Sequence, residues 1–244
     1  MRSPTEVPGR VRVVVRHDGR ELAGAVGPDE SWADAARRIA DGLPGDPVAD
    51  DLSGAVKRFV VDPDQRIVLR AMTRGDLPIL ARWLREEHVR RWWVHDGEPG
   101  GEAVRSRYGP RVDGATPTRM WVVDVNGHSI GFVQDYRIRD HPDYALLTPY
   151  PDAIGLDYAI GEPAWVGRGL GARILWTWMV HARRRHPDAP GCFAAPDHGN
   201  AASLRVLDKA GFVQGTWFDE PQRHGGVATV VGCTLDVRRV LGGT

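Results

Sequence analysis

The chain has 244 residues, 42% of them apolar, and its 32 basic residues equal its 32 acidic ones, for a formal net charge of zero. That length suits one principal core with a small accessory segment, and the balanced charge argues against nucleic acid or an anionic membrane surface as a partner. No run of about 18 residues is apolar and uncharged, so no membrane-spanning helix is expected, and the Val/Arg alternation near the start lacks a signal-peptide core. Cys192 and Cys233 sit in apolar runs without metal-ligand spacing, so the expectation is a cytoplasmic protein with reduced, buried thiols and no metal.

In chain order, residues 10–16 and 21–26 read as two short strands around the turn His17-Asp18-Gly19. A helix follows from Asp29 or Ser31 to Gly42, with Trp32, Ala35, Ala36, Ile39 and Ala40 on one face. Residues 42–54, rich in Pro, Gly and Asp, read as a linker, which makes residues 1–65 a small N-terminal extension to a domain spanning 66–244. From Arg66 strands and helices alternate. Ile67, Leu69 and Met72 mark a strand, and Thr73 caps a helix striped by Leu77, Leu80, Trp83 and Leu84 that runs to about Arg90-Arg91-Trp92-Trp93. A looser helix covers Glu102 to Tyr108, and strands over 120–125 and 129–136 are joined at Asn126-Gly127, a strong hairpin signal. Next come a strand over 154–160, a helix over 169–185, a short strand over 191–195 and a helix over 200–210 with Asn200 as N-cap and Gly211 beyond its end. Strands over 212–218 and 228–237 close the sheet.

Between the strand ending at Ile160 and the long helix stands Val166-Gly167-Arg168-Gly169-Leu170-Gly171-Ala172. Glycines at a strand-to-helix passage let successive N–H groups converge on an anion, and the helix dipole adds about half a positive charge there. A diphosphate is the natural guest, although a plain tight turn would use the same glycines. The segment is neither a Walker loop nor the usual dinucleotide spacing. Arg168 either pairs with a phosphate or is a solvated loop residue. Some 29 residues after Gly171 come Asn200-Ala201-Ala202-Ser203 and then Lys209-Ala210-Gly211-Phe212.

These two segments, in this order and on these elements, resemble the acyl-CoA loop and the Asn…KAGF segment of the GCN5-related N-acetyltransferase (GNAT) superfamily. Within it the chain is most similar to aminoglycoside 6′-N-acetyltransferases and to the related siderophore acyltransferases that act on hydroxylysine. Residues 67–237 carry that likeness through Leu69-Arg70-Ala71-Met72-Thr73, Arg91-Trp92-Trp93, Ile130-Gly131-Phe132-Val133-Gln134-Asp135-Tyr136 and Gly155-Leu156-Asp157-Tyr158-Ala159-Ile160-Gly161. The resemblance implies an α/β (α+β) GNAT fold, a mixed sheet of about six to seven strands flanked by helices, acting as a monomer or homodimer. Its expected reaction is acetyl transfer from acetyl-CoA to the primary amine of a small molecule by direct attack in a ternary complex.

On the same grounds the coenzyme would be held by Tyr158, Ala159 and Ile160, by the loop residues Val166, Gly167, Arg168, Gly169, Leu170, Gly171 and Ala172, and by Asn200 and Ser203. Asn200 would serve there besides capping its helix, a plain N-cap being the other reading. Asp157 would take the proton of the amine, with a backbone N–H near Tyr158 or Ala159 facing the thioester oxygen. Trp92, Trp93, Gln134, Tyr136, Asp157 and Asp197 would contact the acceptor, core packing being the other reading of the two tryptophans. Three positions depart from the family. Val166 stands where Arg or Gln is usual, Leu207 where a tyrosine can protonate the leaving thiolate, and Ala195 where an aspartate meets the aminoglycoside; Asp197 would supply that charge unless it only shapes a turn. The competing readings are an acyltransferase of siderophore or other amine metabolism and a non-catalytic acyl-CoA-binding domain.

Overall fold

A computed structural model describes residues 12–17, 20–27, 30–41, 60–61, 66–93, 100–145, 148, 150–221 and 226–242. Strands β1 (Arg12–His17) and β2 (Arg20–Ala25) pair antiparallel, and β3 (Val60–Val61) joins β1 in parallel to give a three-stranded sheet. Helix α1 (Trp32–Ala40) starts at Ser31, whose side chain accepts from the Asp34 N–H at 3.1 Å. The residues of the expected 42–54 linker lie outside those described. The apolar face of α1 carries Trp32, Ala35, Ala36 and Ile39, all buried in one cluster with later residues such as Val240 and Leu241.

The second sheet has seven strands in the order β4-β5-β6-β7-β8-β10-β9. In chain order the elements are β4 (Ile67–Ala71), α2 (Leu77–Arg85), α3 (Glu87–Arg90), α4 (Gly101–Val112), β5 (Arg119–Val125) and β6 (His128–Arg137). They continue with α5 (Pro142–Ala145), β7 (Ile154–Ile160), α6 (Leu170–Arg185), β8 (Gly191–Ala194), α7 (Ala201–Ala210), β9 (Val213–Pro221), β10 (Val227–Asp236) and α8 (Val237–Leu241). The mixed, helix-flanked sheet is the expected GNAT architecture. The turn at Asn126-Gly127 has φ of 51° and 80°, the two positive values a type I′ hairpin demands. Alternation along β5 then divides the interior: Trp121, Val123 and Val125 join the core containing α6, and Met120 and Val122 join the one containing α2 and α4.

Several boundaries differ from the sequence reading. The helix expected from Thr73 to about Trp93 breaks at Glu86, where ψ of 131° is extended and the carbonyl turns to cap α3 by accepting from Val89 and Arg90. Helix α4 runs on through Pro110 to Val112, past the expected end at Tyr108. The last strand stops at Asp236, whose side chain accepts from the Arg238 N–H at 2.8 Å and starts α8. Cys192 and Cys233 are buried and form no disulfide.

What positions the site is a fork in the sheet. Strand β7 pairs with β6 along its whole length, from Ile154 to Ile160, but meets β8 only through Ile154 with Cys192 and Gly155 with Phe193. Beyond Gly155 the two parallel strands separate. Pro196 lacks the N–H to carry a ladder forward, and its carbonyl accepts from Val231 N at 2.9 Å, drawing the end of β8 toward β10. The free edge of β7 therefore borders an open groove.

Candidate active site

The groove has a volume of about 780 Å³ and is walled by Tyr158, Ala159 and Ile160 of β7, by the glycine loop, by α7 and by the α3 region. Gly167 and Gly169 have φ of 78° and 77°, backbone that other residues adopt only under strain. Gly169 is the N-cap of the 16-residue α6, so the unbonded N–H groups of its first turn, at Leu170, Gly171 and Ala172, open onto the groove. Gly171 also brings α6 against α7: a Cβ there would stand 2.8 Å from Val206. That contact keeps Ser203, Arg205 and Lys209 along the same groove.

Val166 lines the groove, as expected of the loop, but Arg168 is absent from the wall, its guanidinium lying 5.0 Å over the Trp165 ring. Asn200 does cap its helix, accepting from the Ser203 N–H at 3.1 Å, and it lines the groove as well. Tyr158 and Ser203 share a hydroxyl–hydroxyl bond of 2.9 Å that links β7 to α7, and burial pushes the Tyr158 phenol well above its usual range.

A second cavity of about 270 Å³ adjoins the first, walled by Asp157, Ala195, Asp197, Glu220 and neighbours from β8 and β10. Arg91, Trp92, Trp93, Tyr158, Asn200 and Ser203 belong to both walls. Trp93 is fixed there by donating Nε1–H to the Tyr108 hydroxyl at 2.8 Å and by an edge contact with Phe132 at 4.7 Å. The Asp197 carboxylate holds a turn by accepting from Gly199 N at 2.7 Å, yet still faces the cavity.

Gln134 and Tyr136 are placed behind this wall, outside the lining of either cavity. Gln134 donates Nε2–H to Asp157 Oδ2 at 2.7 Å and accepts from Arg111 Nη1 at 2.5 Å. Tyr136 stacks edge-on against His141 at 4.8 Å. Burial raises the Asp157 pKa, while the Gln134 bond and the charges of Arg111 and His141 pull it down.

Residues that sequence reasoning missed complete the site. Glu220 faces the cavity beyond the expected end of its strand, and burial together with Asp157 pushes its carboxyl upward. His88 bonds the Ile160 carbonyl at 2.8 Å and ties α3 to the end of β7. Arg111 lies past the expected end of its helix. Among the described residues no three His, Cys, Asp or Glu side chains cluster in a way that could hold a metal ion.

Residues 73–220, more than half of the chain, match the family model described as an acetyltransferase (GNAT) domain. Aminoglycoside N(6′)-acetyltransferase type 1 of Klebsiella pneumoniae is 28% identical over 161 residues, covering 65% of this chain and 80% of that protein. Lysine N-acyltransferase MbtK of Mycolicibacterium paratuberculosis is 25% identical over 169 residues, covering 66% of this chain and 73% of the relative. The solved structure of aminoglycoside acetyltransferase AAC(6′)-Ib with coenzyme A and kanamycin aligns with a TM-score of 0.60 at 24% identity, over 70% of this chain and 95% of that one. At that identity the likeness speaks for the fold.

Proposed function

The chain belongs to the GNAT acetyltransferase family, an acetyl-CoA-dependent enzyme class, and from that premise we propose that it acetylates a primary amine of a small cationic molecule by direct attack in a ternary complex. One observation carries the reading: the groove and the smaller cavity meet at Trp92, Trp93, Tyr158, Asn200 and Ser203, beside Asp157. A donor laid along β7 with its diphosphate on the α6 N-terminus presents its thioester at that junction. The amine enters from the other side.

In this reading Asp157 removes the proton from the attacking nitrogen, and its raised pKa makes it a stronger base than a solvated aspartate. A β7 backbone N–H near Tyr158 or Ala159 faces the carbonyl oxygen as charge develops on it. The carbon–sulfur bond then breaks and the thiolate needs a proton. Leu207 is buried and has none to give, whereas the Tyr158–Ser203 hydroxyl pair stands at the junction as a hydrogen-bond donor to the thiolate; burial makes the phenol a weaker acid, so the proton itself comes from solvent.

For the acceptor, the leading candidate is an aminoglycoside-type amine, on the strength of the Klebsiella relative and the carboxylates Asp157, Asp197 and Glu220. A lysine-type amine is the second, favoured by the lysine acyltransferase relative and by Ala195, which removes one expected negative charge. We place the protein in the cytoplasm; no described helix is long and apolar enough to cross a membrane. Thiol release from acetyl-CoA, alone and with kanamycin, L-lysine or N6-hydroxylysine, tests the proposal. At least one amine should accelerate release and gain an acetyl group. If none does while coenzyme A still binds, the domain is a binder and the reading falls.

A further inference from the structure

Behind the smaller cavity a line of hydrogen bonds leads from α4 to β7. Arg111, in the last turn of α4, donates Nη1–H to Gln134 Oε1, and the other end of that amide donates to Asp157 Oδ2. A guanidinium only donates and a carboxylate only accepts, so the two contacts decide which way the amide faces. Asp157 Oδ1 is left without a hydrogen-bond partner among the described residues, on a side chain that lines the cavity. Arg111 is steadied in turn by the Tyr108 ring, 5.1 Å from its guanidinium, and Tyr108 is bonded to Trp93 of the shared wall.

We propose that Arg111 is a positioning residue for acetyl transfer, acting through Gln134 to hold one oxygen of Asp157 and present the other to the acceptor amine. The inference rests on Asp157 being the base. Arg111 also keeps a positive charge behind a carboxylate whose pKa burial raises, and pulls that pKa back down. Of the other groups facing Asp157, His141 acts in the same direction, but burial lowers its own pKa and leaves Arg111 as the lasting cation. Glu220 opposes both from β9, and Arg91 and Asp197 complete the charged lining.

Unfolding stability measured from about pH 4 to about pH 9 tests this on the full chain without any acceptor. The folded pKa of Asp157 lies above its unfolded value, so its contribution to stability is lost as pH rises through the folded pKa. The stability gained by Asp157→Asn should therefore grow with pH and level off. In an Arg111→Met background that gain should level off at a higher pH and a larger value; identical curves in the two backgrounds overturn the proposal. Activity gives a second arm with whichever of kanamycin and L-lysine is acetylated. The ratio of wild-type to Arg111→Met rate should fall as pH rises, with Arg111→Lys recovering most of the loss, whereas a ratio flat across pH marks a merely structural role. If Arg111→Met fails to fold, Arg111→Gln is read in the same way. Should no amine be acetylated, the functional reading fails, but the stability curves still decide the role of Arg111.

Discussion

A carboxylate enclosed as Asp157 is costs stability when ionised, and Gln134 and Arg111 offset only part of that cost. The expense is intelligible if the carboxylate must accept a proton. Asp157→Asn keeps the shape and the Gln134 contact but removes the basic lone pair, so turnover at neutral pH should fall by roughly 10² to 10⁴. Coenzyme A affinity should not change. Because the amine can also lose its proton to water, the defect should shrink as pH approaches the amine's own pKa; wild-type turnover by this variant would remove Asp157 from the base role. The sequence exposed this residue through its apolar neighbours and its place just before the glycine loop. It did not expose Glu220 or Arg111, which reach the same carboxylate from β9 and α4, elements far away in sequence. Their local patterns say only that a polar residue follows a strand or ends a helix.

At the level of elements, the fork between β7 and β8 and the N-terminus of α6 border the groove proposed to seat the donor. Gly169 separates the contributions of charge and backbone there. Any side chain at its φ of 77° is strained, by about 1–2 kcal/mol, and Asp and Asn share nearly the same shape. Gly169→Asp should therefore bind coenzyme A at least about tenfold more weakly than Gly169→Asn, a difference of about 1.4 kcal/mol, with equal melting temperatures. Equal affinities by calorimetry would mean that no phosphate sits at this turn. Gly171 is less clean as a probe, since a side chain there also strikes Val206. Strong local chemistry made most elements legible: the Asn126-Gly127 hairpin, the Asn200 cap and Gly211 all stand where expected. The break at Glu86 was hidden because the apolar stripe of α2 continues into Val89 of α3, and both helices bury their apolar residues in one cluster with Phe132 of β6.

Across the whole molecule, α1 packs on later elements of the chain, with Trp32 beside Gly211 at the end of α7 and in one buried cluster with Val240 of α8. A Cβ on Gly211 would lie 3.1 Å from the Trp32 ring. We propose that residues 66–244 form the catalytic unit and residues 1–65 an accessory one. A chain beginning at Val61 should then fold and bind coenzyme A, with a melting temperature lower by about 5–10 °C for the apolar contacts it loses. An insoluble or molten product would make the extension part of the core. The meeting of two cavities beside one carboxylate is tested most directly by initial rates of thiol release over a grid of acetyl-CoA and acceptor concentrations. The geometry predicts release that depends on the amine and reciprocal plots that intersect, as a ternary complex requires. Release independent of the amine, or parallel plots signalling an acetylated enzyme, would contradict it.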